Sequence, residues 1–517
     1  MADSDGAKAK GSGEIAVQAG ARAFNKEVAP SFLDHACMVA GFAPPPASPV
    51  GEGEGAGFAW CELHCGSAVT ATLLAGANPL GDFHGIDPRG ALLERGRALA
   101  KDGGVRNLTL HEAGLDRARD LSLPPFDYIV VSGVYSWVPA RERAMVLAFV
   151  RKFLKPGGVA YVTYNAKPGW NRLEPFRRLF REAARGMDIP PHQRLAVARE
   201  LYAKLEEARV PAVLASGVTA ASLAEFDSLP AEVLAADYAN DFAEPLYVTD
   251  VASDFAAIDC ALAGAADMSE TVSVLMAQEN FKSIIDQMPT PWGRELVKDM
   301  IRDTRFRRDV FVRGGRRLSA DNREMMMRGL AFALERPAAE IRYDVQMPFG
   351  GVRFDSPQSR ALVATLQSGP RALGELVGRA QADTNEAQAI MAGIHALLVT
   401  GQIRPVYRAT REAEEPAGRL QAAIRARAGT PEAIAFLPTA LGTAFLVPVP
   451  DQIFSEIGQA AGAEALAAAA IERLGGSAVS AAGKDTITRR ARGFERALEY
   501  YASVGLRLRG QSTTLRR

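Results

Sequence analysis

Four cysteines in 517 residues, Cys37, Cys61, Cys65 and Cys260, are too few for a disulfide framework. Cys61 and Cys65 lie four apart with His64 between them, but a tetrahedral metal site needs more ligands than these three supply, so no metal is expected. The six histidines are scattered, with no HExxH spacing. Net charge is missing too: 60 basic and 60 acidic residues cancel, so no global field draws the chain to nucleic acid or to an anionic membrane. No uncharged apolar run reaches the roughly 18 residues of a membrane span, and the Ala-rich stretch 460–470 is interrupted by Glu464. Residues 1–23 begin small and polar, without the apolar core of a signal peptide. That segment is expected to be disordered, and the protein cytoplasmic. No P-loop and no Ser-His-Asp order is visible.

What is present centres on residues 59–87, AWCELHCGSAVTATLLAGANPLGDFHGID. An apolar strand ends on Glu62 and meets the turn His64-Cys65-Gly66-Ser67. A helix marked by Val69, Leu73 and Leu74 follows, expected to break at Gly76 and Asn78-Pro79. A second strand, 83–86, ends on Asp87. A parallel βαβ unit sets the two strand ends side by side beneath a helix N-terminus. An acid about 20 residues past the turn is placed to accept from ribose hydroxyls. The pattern predicts a nucleoside-cofactor pocket.

Residues 24–43 read as a helical lead-in and GEGEGAG at 51–57 as a flexible link. Beyond Asp87 the chain alternates: helix 89–101, strand 108–110, the apolar strand 126–131, helix 139–154, the turn LKPGG, and strand 159–164. The unbroken apolar run at 126–131 predicts a central parallel strand. The alternation predicts an α/β, doubly wound, Rossmann-like sheet. The remainder turns mostly helical. A short strand is expected at 246–248. Seven arginines between Arg302 and Arg317 are read as a solvated or salt-bridged helix face. Residues 359–408 resemble a winged helix, but its candidate recognition helix, 384–397, carries no Lys or Arg, which argues against nucleic acid. The expected division is 1–23, a nucleoside-binding domain at 24–185, a helical or regulatory middle at 186–335, a winged-helix-like unit at 336–410 and a helical C-terminal domain at 411–517.

The ordered set ELHCGSA, GIDP, FDYIVVSGVYSWVP and LKPGGVAYVTYNAKPGW resembles a class I S-adenosylmethionine-dependent methyltransferase. GVYSWVP and YNAKPGW are similar to bacterial methyltransferases with an appended methyltransferase regulatory domain. Rickettsial protein-lysine methyltransferases are built to a similar plan. The catalytic resemblance covers about residues 20–185.

The resemblance implies S-adenosylmethionine as cofactor, with Glu62 accepting from the methionine ammonium, Gly66 at the close backbone approach and Asp87 on the ribose. Ser132 and Gly133, which end the fourth strand, complete the expected cofactor set. In the family an acid caps the adenine amine where Gly114 stands here, with Glu112 as a substitute. His64 and Ala68 replace two of the family's turn glycines. Tyr135, Trp137, Asn165 and Trp170 follow the fourth and fifth strands and are the expected catalytic set. Aromatic rings there hold an alkylammonium and exclude water, and the Asn165 side-chain carbonyl orients an acceptor amine. A protein acceptor, lysine in particular, is expected. The C-terminal half would recognise it or assemble a homodimer. His64 and Gly114 also support a second reading, a non-catalytic binding or regulatory protein that retains the fold.

Overall fold

The computed structural model describes residues 24–50, 57–183, 185–229, 231–266, 279–347, 350–378, 384–458, 462–506 and 508. The expected disorder of 1–23, nearly all of the 51–57 link and the end of the arginine-rich C-terminus lie outside them.

A seven-stranded sheet organises the first 313 residues. Its strands are β1 (Ala59–Leu63), β2 (Asp82–Asp87), β3 (Leu108–Glu112), β4 (Phe126–Val131), β5 (Leu154–Asn165), β6 (Cys260–Ala265) and β7 (Phe306–Arg313). They lie in the order β3-β2-β1-β4-β5-β7-β6. β1 to β5 run parallel, whereas β7 is antiparallel to both β5 and β6. The order reverses at β1 and β4, where a doubly wound sheet opens its ligand crevice. Trp60, Tyr128, Ile129, Val130 and Val131 are all fully buried, as expected of strands covered on both faces.

Several local expectations change. Gly76 does not stop its helix, which runs Val69–Ala77. A Cβ there would stand 2.5 Å from Leu420 Cδ2, so the bare glycine admits a leucine from the helix Arg411–Arg425. LKPGG is not a free turn. It belongs to β5, where pairing jumps from Phe126–Leu154 to Tyr128–Val159. Asp127 anchors that bulge, accepting from Lys155 Nζ at 2.7 Å and from the Ala59 N–H at 2.8 Å. The strand expected at 246–248 reduces to one bridge, Leu246 to Ala166, before the helix Val248–Ala256 begins.

The arginine-dense segment is a strand rather than a helix face. As β7 it pairs along β5 from Val159–Val312 to Asn165–Phe306. Arg307 is buried and ion-paired to Asp299 at 2.7 Å, Asp309 at 2.8 Å and Glu295 at 2.9 Å. A buried guanidinium ringed by carboxylates satisfies its donors where water cannot.

After β7 the chain forms a small sheet in which β8 (Ala331–Leu334) lies between β11 (Arg371–Ala372) and β12 (Ile403–Val406), both antiparallel to it. The hairpin β9 (Asp344–Met347) and β10 (Gly350–Arg353) lies apart from it. The helices Pro357–Gln367 and Thr384–Val399 pack together, giving the winged-helix outline. This unit and the helices beyond it share one core with the outer face of β1 and the helix Val69–Ala77. No described helix is long and apolar enough to cross a membrane.

Candidate cofactor and acceptor site

A cleft of about 610 Å³ opens over the carboxyl ends of β1 and β4. One wall is the sheet edge: Glu62, His64, Ser132, Gly133, Thr163 and Phe306. The facing wall comes from the lead-in, through Lys26 and Glu27, and from the C-terminal half, through Glu335, Arg404 and Phe436.

Glu62 sits near the end of β1, beside Gly85 of β2 and Val130 of β4. It is 8% exposed, and its Oε2 has no hydrogen-bond partner among the described residues. Burial first, and the neighbouring Asp87 second, push its carboxyl up to about 8. An acid so placed accommodates a cation, and the α-ammonium of S-adenosylmethionine supplies one. The donor set therefore fits the cofactor that the sequence implies.

The turn after β1 is left-handed at His64 (φ 57°), Gly66 (φ 60°) and Ala68 (φ 52°). Glycine adopts that region freely, and other residues do so at a cost of roughly 1–2 kcal/mol each. The backbone thus keeps a glycine-type turn although two of the three residues are not glycine. The half-buried His64 ring lines the cleft, its Nε2 without a partner, and burial holds it neutral by lowering its pKa.

Gly66, Asp87 and Glu112 stand behind the wall. The Gly66 N–H is spent on Asp87 Oδ2 at 2.8 Å. Arg89 donates to the same carboxylate three times, from its backbone at 2.9 Å and from Nε and Nη2 at 2.8 and 2.7 Å. A carboxylate offers about four acceptor sites, so the chain itself fills those of Asp87. Glu112 is exposed, and its Oε2 would stand 2.5 Å from a Cβ at Gly90, the first residue of the helix Gly90–Asp102. That is a favourable place for a negative charge. Beside Gly114, Asp116 folds back so that its Oδ1 would stand 2.6 Å from a Cβ there. The acid that residue 114 lacks stands next to it in space.

Of the four acceptor-side residues the fold unites two. Trp137 Nε1 donates to Asp237 Oδ1 at 2.8 Å, and Asn165 Nδ2 donates to the same oxygen at 3.1 Å. The Trp137 ring lies 6.5 Å from Phe306 of the cleft wall. Tyr135 turns away: it is fully buried against Phe255, and its hydroxyl donates to Asp254 at 2.7 Å. Burial raises the Tyr135 pKa, which suits a packed phenol. Trp170 packs on Tyr238 in a separate apolar cluster and lines a second cleft of about 500 Å³ with Arg143, Lys167 and Arg177.

Sequence reasoning missed Asp237, Phe306, Glu335 and Arg404. Only Asp237 left a local trace, as a lone acid in the apolar run VLAADYA.

The family model for a methyltransferase domain matches residues 61–160, and one described as "Predicted methyltransferase regulatory domain" matches residues 230–313. An uncharacterized protein of Synechocystis sp. is 29% identical over 319 residues, 62% of this chain and 63% of that protein. An uncharacterized protein of Rickettsia prowazekii is 32% identical over 118 residues, 23% of this chain and 47% of that one. The chain thus spans less than two thirds of either relative's length. Among solved structures, PKMT2 from Rickettsia typhi in complex with AdoHcy superposes with a TM-score of 0.63 at 17% identity, covering 92% of this chain and 98% of that one. At that identity the likeness is one of fold. The chain carries a methyltransferase domain whose sheet is completed by two strands of an appended methyltransferase regulatory segment.

Proposed function

We propose that this protein transfers a methyl group from S-adenosylmethionine to a protein acceptor, with a lysine amine as the nucleophile. The observation that carries this reading is Glu62, an acid that no cation pairs with among the described residues, at the carboxyl edge of a methyltransferase sheet. The cofactor supplies an activated methyl on sulfur, so the chain's task is positioning and desolvation rather than covalent catalysis. Glu62 takes the ammonium. Ser132 and Gly133 form the floor, with the Gly133 N–H tied to Thr163 Oγ1 at 2.9 Å. Phe306, with the Trp137 ring 6.5 Å from it, gives the acceptor side an apolar surface, which favours the neutral, nucleophilic form of an incoming lysine. Because Asn165 Nδ2 is engaged by Asp237, its carbonyl oxygen is left to accept from that amine.

A protein acceptor agrees with the length of chain that follows the regulatory segment and reaches back to wall the cleft through Glu335, Arg404 and Phe436. The solved neighbour bound to AdoHcy, the demethylated form of the cofactor, agrees with the choice of donor. The non-catalytic reading rested on His64 and Gly114. It loses support because the turn keeps its left-handed course and Asp116 lies beside Gly114.

Calorimetric titration with S-adenosylmethionine, followed by transfer of radiolabelled methyl into a cell lysate, tests the reading. Heat of binding and label in the protein fraction are expected. Absence of binding at millimolar cofactor would overturn it. Label confined to nucleic acid or small molecules would overturn the protein acceptor alone.

A further inference from the structure

We propose that Asp237 is the positioning residue through which the regulatory segment governs methyl transfer, by holding Trp137 and Asn165 together with one carboxylate oxygen. This inference rests on the methyltransferase reading and names a control point within that site.

Trp137 comes from the loop after β4 and Asn165 from the end of β5, and neither donates to the other. Asp237 joins them from residues 230–313, far along the chain. It sits in a single π turn, Ala235–Ala239, a distortion often found at functional sites. Burial raises its carboxyl, and the bonds from Trp137 and Asn165 and the nearby Arg177 oppose that rise. Its environment is therefore built around these donors.

The same segment is stitched to both loops along its length. The Glu244 N–H donates to Ser136 O at 2.8 Å and the Leu246 N–H to Asn165 O at 2.9 Å. Asn240 Nδ2 donates to Trp137 O at 3.0 Å. Arg177 braces the segment from behind, donating from Nε to Asp237 O at 2.9 Å and also to Ala243 O. A shift of residues 237–246 would thus move both acceptor-side groups at once. None of these bonds involves Glu62, His64 or Gly133. Acceptor geometry can therefore change while cofactor binding does not.

The test compares Asp237→Ala, Asp237→Asn and Trp137→Phe in the full chain. Cofactor Kd is measured by calorimetry, and transfer rate by label incorporation into lysate protein at saturating cofactor. For Asp237→Ala the transfer rate should fall by about 10- to 100-fold, the scale of a misplacement near 1 Å, with cofactor Kd within about twofold. Asp237→Asn keeps an acceptor oxygen and should recover most of the rate. Trp137→Phe keeps a ring and loses the N–H, and should lie between them. It also decides the matter if Asp237→Ala does not fold: a drop in rate at constant Kd supports the proposal, and an unchanged rate overturns it.

An unchanged rate in Asp237→Ala overturns the proposal, as does Kd weakening in step with rate, which marks a merely structural role. Failure of Asp237→Asn to recover activity overturns positioning by hydrogen bond. If the wild type neither binds cofactor nor transfers label, the methyltransferase reading falls and takes this inference with it.

Discussion

Two glutamates line the same cleft, are almost equally buried, and behave oppositely. Glu335 accepts from Lys26 at 2.8 Å and from Arg404, and although burial would raise its carboxyl, these cations hold it at about 2. Among the described residues no cation pairs with Glu62, and burial pushes it up to about 8. Desolvation penalises both. The difference lies in whether the chain supplies the counter-charge. At Glu335 it does, and the acid ties the lead-in to β8 and β12. At Glu62 it does not, which leaves the acid to a cationic ligand. Asp87, saturated by Arg89 and Gly66, falls on the structural side of the same divide.

Removing the Arg404 guanidinium has the largest expected effect. Arg404→Met leaves Glu335 with Lys26 alone, and should destabilise the fold by about 3 kcal/mol or more, the scale of an uncompensated buried charge. Urea unfolding reads this, and a loss under about 1 kcal/mol would show that Lys26 suffices.

The two acids also respond oppositely to pH. A carboxyl lowered in the fold contributes stability above its unfolded pKa and loses it as pH falls. Glu335 therefore weakens the protein on acidification from about 4.5 towards 2, on the order of 3 kcal/mol across that window. Glu335→Gln should flatten the acid limb of a Tm against pH curve. Glu62 has the opposite sign. Its raised carboxyl contributes stability below about 4.5 that is lost as pH rises towards 8.

The same shift predicts cofactor binding. Below about 8 Glu62 holds a proton that the incoming ammonium must expel. Affinity should thus rise from pH 6 to 8, by up to about tenfold per unit. Glu62→Gln should bind about 10- to 100-fold more weakly at pH 8 and lose the slope, because a charge-assisted bond worth about 1.5–3 kcal/mol is gone. Calorimetry at three pH values decides the point, and a wild-type affinity flat across them would remove Glu62 from the cofactor site.

The smallest expected effect lies in the turn. Ala68→Gly relieves a left-handed φ of 52° and should stabilise the fold by about 0.5–1 kcal/mol after the added chain entropy is set against it. A loss of stability would show that the Ala68 methyl, fully buried beside Gly96, outweighs the strain.

The βαβ unit and its acids were readable because each rests on neighbours close in sequence. Short apolar runs bounded by turn signals made β1, β2 and β4, and an acid stood at or next to the end of each of the first two. The sheet's last strands were not readable in that way. FRRDVFVR sets a charged run, Arg307 to Asp309, directly before an apolar one, Val310 to Val312, so it shows no strand alternation and buries a charge that needs partners. Asp309 lies two residues away in the same strand, whereas Asp299 and Glu295 reach Arg307 from the helix Pro291–Arg302, a packing that no local pattern announces. Tyr135 and Trp137, two residues apart in one loop, looked alike in the sequence. One faces Asp254 and the other Asp237, because different segments of the middle region cover them.

The doubly wound sheet and the two strand-end acids were legible in the residues alone, since apolar runs and turn chemistry are local properties, whereas the strand order came only with the fold. Tertiary structure alone decided which acids are neutralised. Arg404 reaches Glu335 across 69 residues, and Asp237 reaches Asn165 across 72. Those distances are closed by burial of the shared core, and only then does one glutamate find its cations while the other is left without any.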